Sequence, residues 1–195
     1  MSTESPRNEV LALVEAAVTN RNLRRHMVAT EAVMRAVAVR LRTDPDAWGL
    51  AGLAHDLDAE QTNEDFTRHG AQAAEQLRRA GLPDDLTHAI AAHNPATGTV
   101  AESPLDIALI ASDQVTGLVT AATLVRPDKS LAGVKVKSLR KRMRESAFAR
   151  GVDRAAIGRC EEIDIPLDEF LGLALEAMQG AAAELGLGGA SAPSS

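Results

Sequence analysis

Leu53-Ala54-His55-Asp56-Leu57-Asp58 sets an imidazole and a carboxylate side by side at the end of an apolar run. A neutral His nitrogen and an ionised Asp oxygen are both ligands for a borderline divalent metal, and a buried carboxylate is costly unless a cation or hydrogen bonds compensate it. Just upstream, Asp44-Pro45 supplies an N-cap followed by a proline suited to a first helical position. The helix that starts near Pro45 and ends near His55 carries Trp48, Leu50, Ala51, Leu53 and Ala54, so it is apolar on most sides, as a central buried element is. His55 and Asp56 emerge where that helix stops. The loop beyond them is acidic, with Asp58, Glu60, Glu64 and Asp65.

Helical spacing continues in both directions. Residues 1–8 read as a loose tail, followed by a short helix to Val18. A longer helix over Leu23–Arg42 aligns His26, Thr30, Val33, Val37 and Leu41, which turns His26 toward the interior. Downstream, Phe66–Ala80 resumes the pattern with His69 and Gly70 in its first turn, and Gly81-Leu82-Pro83 stops it. In the next helix, Asp84–His93, the residues His88 and His93 lie about 140° apart and do not face one site together. Ser103-Pro104-Leu105-Asp106 reads as a capping box that opens a helix running to Val125, which gives Asp106 a structural role. Asp113 has no such role. It interrupts Leu105, Ile107, Leu109, Ile110, Val115, Leu118 and Val119, and a carboxylate there needs a cation. Asp153 caps a short helix through Cys160, Leu167–Leu185 forms a last amphipathic helix, and 187–195 reads as a flexible tail.

These elements predict an all-α, compact single-domain helical bundle over residues 9–186 of a 195-residue chain. With one cysteine, Cys160, the chain can form neither an internal disulfide nor a multi-thiolate zinc site. The net charge of −6 argues against broad nucleic-acid binding. The charge is nonetheless segregated: Lys129, Lys135, Lys137, Arg140, Lys141, Arg142 and Arg144 fall in a stretch without acids, which leaves −13 for the rest. No leader-like segment and no uncharged apolar run of about 20 residues is seen, so a cytoplasmic protein with no membrane partner is expected. The last helix offers a surface for a homodimer.

His26, His55-Asp56 and Asp113, in this order on an all-helical background, resemble the HD-domain metal-dependent phosphohydrolase superfamily over roughly Leu23–Leu118. In that superfamily a His, a His-Asp pair and a later Asp bind one metal. Its two-metal branches add a His in a His-Gly pair and another His before the last Asp, which correspond here to His69-Gly70 and His93. The resemblance thus implies His26, His55, Asp56 and Asp113 on one ion and Asp56, His69 and His93 on another, with Asp56 bridging as the catalytic carboxylate. Leu57-Asp58 replaces the Ile-Gly of the commoner His-Asp-Ile-Gly motif, and Asp58 reads as a supporting or loop carboxylate.

Imidazoles with carboxylates suit Fe, Mn, Co or Ni ahead of Zn or Mg. Two divalent ions about 3.5–4 Å apart can activate water and clamp a phosphate. The expected activity is hydrolysis of a phosphate ester or anhydride in a nucleotide or other small phosphorylated metabolite. Arg25, Lys129 and Lys135 are candidates for holding substrate phosphate. Two alternatives share the ligand set: a di-iron oxygenase, and an inactive nucleotide-binding or interaction module.

Overall fold

Short polar side chains and prolines set most of the helix starts. Ser5 caps α1 (Pro6–Ala17), Asn20 caps α2 (Arg21–Leu41), and Asp44 caps α3 (Pro45–Ala54) by accepting from Asp46 N and Ala47 N. α4 (Ala71–Arg79) and α5 (Asp84–Ala92) follow. α6 (Pro104–Leu124) opens on a reciprocal box, in which Ser103 Oγ accepts from Asp106 N and Asp106 Oδ2 accepts from Ser103 N at 2.9 Å. α7 (Val136–Met143), α8 (Arg154–Gly158, capped by Asp153), α9 (Leu167–Gly180) and α10 (Ala182–Leu185) complete the α-helices of the described residues. This computed structural model describes residues 5–189, which contain no β-strand; a single bridge pairs Ser130 with Gly188.

The bundle is organised around α2 and α6. α2 packs against α3, α6 and α9, while α6 also receives α5, α7, α8 and the 3-10 segment Arg159–Ile163. One apolar core runs from Val10 to Leu187, built from small and aliphatic side chains with the buried aromatics Trp48 and Phe170 as its large exceptions. By length and composition α6 alone among the described helices could cross a membrane. Here it is the core helix, with Leu109, Leu118 and Val119 fully buried.

Three boundaries differ from the sequence expectation. The N-terminal tail is shorter than eight residues, because Ser5 and Pro6 already belong to the start of α1; residues 1–4 lie outside the described residues. Phe66–Ala80 is not one helix, since a 3-10 turn (Phe66–Arg68) and α4 are separated by His69 and Gly70. The last helix breaks at Ala181. Beyond it Leu187 is buried and its carbonyl accepts from Leu131 N at 2.9 Å, so residues 187–189 are docked rather than a loose tail. The remainder of that expected tail, 190–195, lies outside the described residues.

Candidate metal centre

Four helices and one extended break converge on a single point. His26 projects from the second turn of α2, and His55 and Asp56 leave the C-terminus of α3. His93 is the C-cap of α5, and Asp113 sits in mid-α6. His69 lies in extended backbone (φ −60°, ψ 129°), ahead of Gly70 at φ 85°. A Cβ on Gly70 would stand 2.8 Å from the Ile90 carbonyl and 3.0 Å from His93 Cε1. Glycine is what lets this break approach the end of α5. Glu60 fixes the loop to α2 by accepting from Asn20 N at 2.6 Å, Thr19 N at 2.9 Å and Thr19 Oγ1 at 2.8 Å.

The imidazoles face each other in pairs through Nε2: His26 and His55 at 3.3 Å, His69 and His93 at 3.2 Å. Asp56 stands between the pairs, its Oδ1 at 3.3 Å from His55, 3.2 Å from His69 and 3.6 Å from His93, and its Oδ2 at 3.7 Å from His26. Asp113 Oδ1 closes the first pair, at 2.9 Å from His26 and 3.7 Å from His55.

The outer nitrogens decide the tautomers. His55 Nδ1 donates to the Gly52 carbonyl (2.9 Å), His93 Nδ1 to the Ile90 carbonyl (2.6 Å) and His69 Nδ1 to Asp58 (2.8 Å). Thr116 Oγ1 gives its only proton to the Asp113 carbonyl at 2.7 Å, so it accepts from His26 Nδ1 at 3.0 Å. In its neutral form each of the four rings therefore carries its proton on Nδ1 and aims an Nε2 lone pair at the centre.

Lone pairs and carboxylates that face each other without a proton repel, and a cation removes the conflict. With metal–nitrogen bonds of about 2.1 Å, these Nε2 pairs would subtend about 100° at a shared ion, a normal coordination angle. His26, His55 and Asp56 form one potential metal-holding group and Asp56, His69 and His93 another, joined through Asp56. The donor set fits divalent metal.

The electrostatics agree. Burial raises the Asp56 carboxyl, but His55, His69, His93 and His26 override it and hold Asp56 well below the usual carboxylate range. Burial likewise raises Asp113, and His26 and His55 reverse the shift. Burial lowers His69, yet Asp56 and Asp58 push it up to about 9, and His93 is raised by Asp56 against the effect of its burial. In the absence of another cation, a proton is drawn into the negative field of the carboxylates.

The structure thus gathers His26, His55, Asp56, His69, His93 and Asp113, and excludes His88, whose Nδ1 lies 3.2 Å from Asp106 Oδ2. It does not bring in the three basic candidates. The Arg25 guanidinium lies against Gly186, in a cavity shared with Arg21 and Glu184, because on α2 it points about 100° away from His26. Lys129 occupies a turn beyond α6, and Lys135 lines a separate groove at the far end of that helix. Cys160 is buried, which pushes its thiol up to about 12, and takes no part.

Several supporting groups carry only weak sequence signals. Asp58 is fully buried and accepts from Gly70 N (2.9 Å) and Ala73 N (2.7 Å) as well as from His69. Buried Asn94 donates to the carbonyls of Phe66 (2.8 Å) and His69 (3.0 Å), and the exposed Phe66 ring stacks on His69. Gln114 donates to Asp113 Oδ2 at 2.7 Å while accepting from Asp153 N at 2.8 Å. Asp58 is signalled by its place two residues after the His-Asp pair, which already reads as a supporting carboxylate, whereas Asn94 and Gln114 are signalled only by their adjacency to His93 and Asp113.

Residues 23–118 match the family model described as HD domain, a span that covers all six converging residues. Comparison with curated proteins and with solved structures finds no match for the chain.

Proposed function

This chain is an HD-domain protein, of a family of metal-dependent hydrolases, and we propose that it hydrolyses a phosphate ester or anhydride of a small phosphorylated metabolite at a two-ion centre. The observation that carries the reading is the convergence of four Nε2 lone pairs on two carboxylates. His26, His55 and Asp113 would hold one ion, His69 and His93 the other, and Asp56 both. Divalent ions in such a site supply Lewis-acid polarisation of a phosphoryl oxygen and bring the acidity of a water into the neutral range.

The residues themselves divide the work. His55 and His93 close the floor, their side chains 0% and 4% exposed, whereas His26 at 25% and Asp113 at 17% border the open side through which a phosphate would enter. Asp56, kept ionised among imidazoles, is placed to orient an attacking water by accepting its hydrogen bond. Asp58 holds the His69 ring and its tautomer, and Thr116 does the same for His26. Low-lying backbone carbonyls at Gly52 and Ile90 fix the other two rings.

The test is to strip the protein of metal, reload it with Mn or Fe under anaerobic conditions and assay nucleotides and sugar phosphates. Turnover without oxygen is expected. Activity that requires both Fe and oxygen would replace hydrolysis with oxidation, and nucleotide binding without turnover under any metal would leave an interaction module.

A further inference from the structure

The basic stretch that the metal centre does not use lines a groove of its own. A groove of about 630 Å³ lies where the end of α6 meets α7, within the range of small-molecule sites. The buried Ala122 and Val134 give it an apolar floor with the exposed Val125 beside them, and Arg126, Lys135, Lys137, Lys141 and Arg142 supply cations around it. The Arg126 guanidinium lies directly over Gly133, where a Cβ would clash with it, and is held there by Asp128 at 2.9 Å. Arg142 and Lys141 share Glu145. Among the described residues no carboxylate approaches Lys135 or Lys137 within 4.0 Å, and both are exposed.

This groove is not part of the metal centre. Ala122 follows Asp113 by nine residues on α6, which turns it about 180° away, and Val125 lies about 18 Å farther along the axis. The two sites therefore lie on opposite faces of α6. Three lysines beside two positioned guanidiniums, above an apolar floor, match a ligand with several phosphates and a flat apolar part. A long polyanion fits less well, because the chain outside residues 129–144 carries a net −13 and would repel its continuation.

We propose that the α6–α7 groove is a binding site for a nucleoside triphosphate, distinct from the metal centre. It is tested on the full chain as purified by titrating a non-hydrolysable ATP analogue without added magnesium. Three proteins are compared: wild type, Asp56→Ala, and the double variant Lys135→Glu/Lys137→Glu. The analogue should bind wild type and Asp56→Ala equally and the double variant at least about tenfold more weakly, the size expected for lost charge-assisted contacts. Tripolyphosphate should compete far better than orthophosphate. Lys137→Ala alone, a milder exposed change, should give an intermediate loss, and unchanged metal content and melting temperature should accompany both variants. Loss of binding in Asp56→Ala with retention in the double variant would overturn the proposal. So would absence of binding to wild type, or tighter binding of a single-stranded oligonucleotide or of phosphatidylglycerol vesicles than of the analogue.

Discussion

Two clusters of buried charge sit on opposite sides of α2, and their hydrogen-bond chemistry separates them. Glu31, 3% exposed, accepts from Arg7 at 2.6 and 2.9 Å and from Arg35 at 3.1 Å, and Arg35 continues to Asp46 at 2.6 Å. Each contact there has a donor on one side and an acceptor on the other, so the cluster is complete as built. Five residues earlier, His26 belongs to a group whose outer contacts are equally complete but whose inner atoms, with the imidazoles neutral, are all acceptors. A carboxylate met by guanidiniums ties helices together. A carboxylate met by imidazole lone pairs requires something from outside the chain.

The comparison breaks first at Asp56. Replacing it with Ala should cost turnover about a thousandfold or more and strip metal from both halves of the site, because one carboxylate serves both. Metal analysis beside the phosphatase assay checks this; an active variant with full metal content would remove Asp56 from the centre.

Asp58→Asn probes the next layer. The amide would turn a donor toward the N–H groups of Gly70 or Ala73, or toward His69 Nδ1, so metal affinity should fall about 10- to 100-fold with the helical content intact. Competition against a chelator measures it.

Glu31→Gln should behave in the opposite way. Arg7 and Arg35 are each about a third exposed and can recover water, so the fold should lose about 2 kcal/mol by denaturant titration while metal content stays unchanged. A loss of metal would mean that the two clusters are not separate.

The smallest effect is in pH dependence. In chelator-stripped protein His69 titrates near 9 instead of near 6.5, so its proton-linked stability is full below about 6.5 and is lost as pH rises through about 9. Metal takes the proton's place, so loaded protein should lack that decline. Thermal melts of both forms between pH 6.5 and 9.5 show the difference, and parallel curves would contradict it.

Much of this was legible in the sequence where signals were local. Caps at Asp44 and at Ser103 with Asp106 announced α3 and α6, and an unexplained carboxylate in an apolar helix marked Asp113. His93 over His88 followed from the family pattern, and the structure gives the reason: His88 is spent on Asp106. The failures are non-local. The periodicity of Phe66–Ala80 concealed a break that exists because Gly70 must pass the end of α5. Docking of Leu187 depends on Leu131, far away in sequence, and a run of lysines carries charge but no address.

The central claim is that the inner face of the six-residue cluster is completed by metal. It is tested most directly by a crystal of the untreated protein with anomalous scattering collected at the edge of the metal found in solution. The account predicts two peaks per chain, one beside His26, His55 and Asp113 and one beside His69 and His93, with Asp56 between them. A well-ordered, natively folded protein with no peak there, after incubation with Mn or Fe, would contradict it.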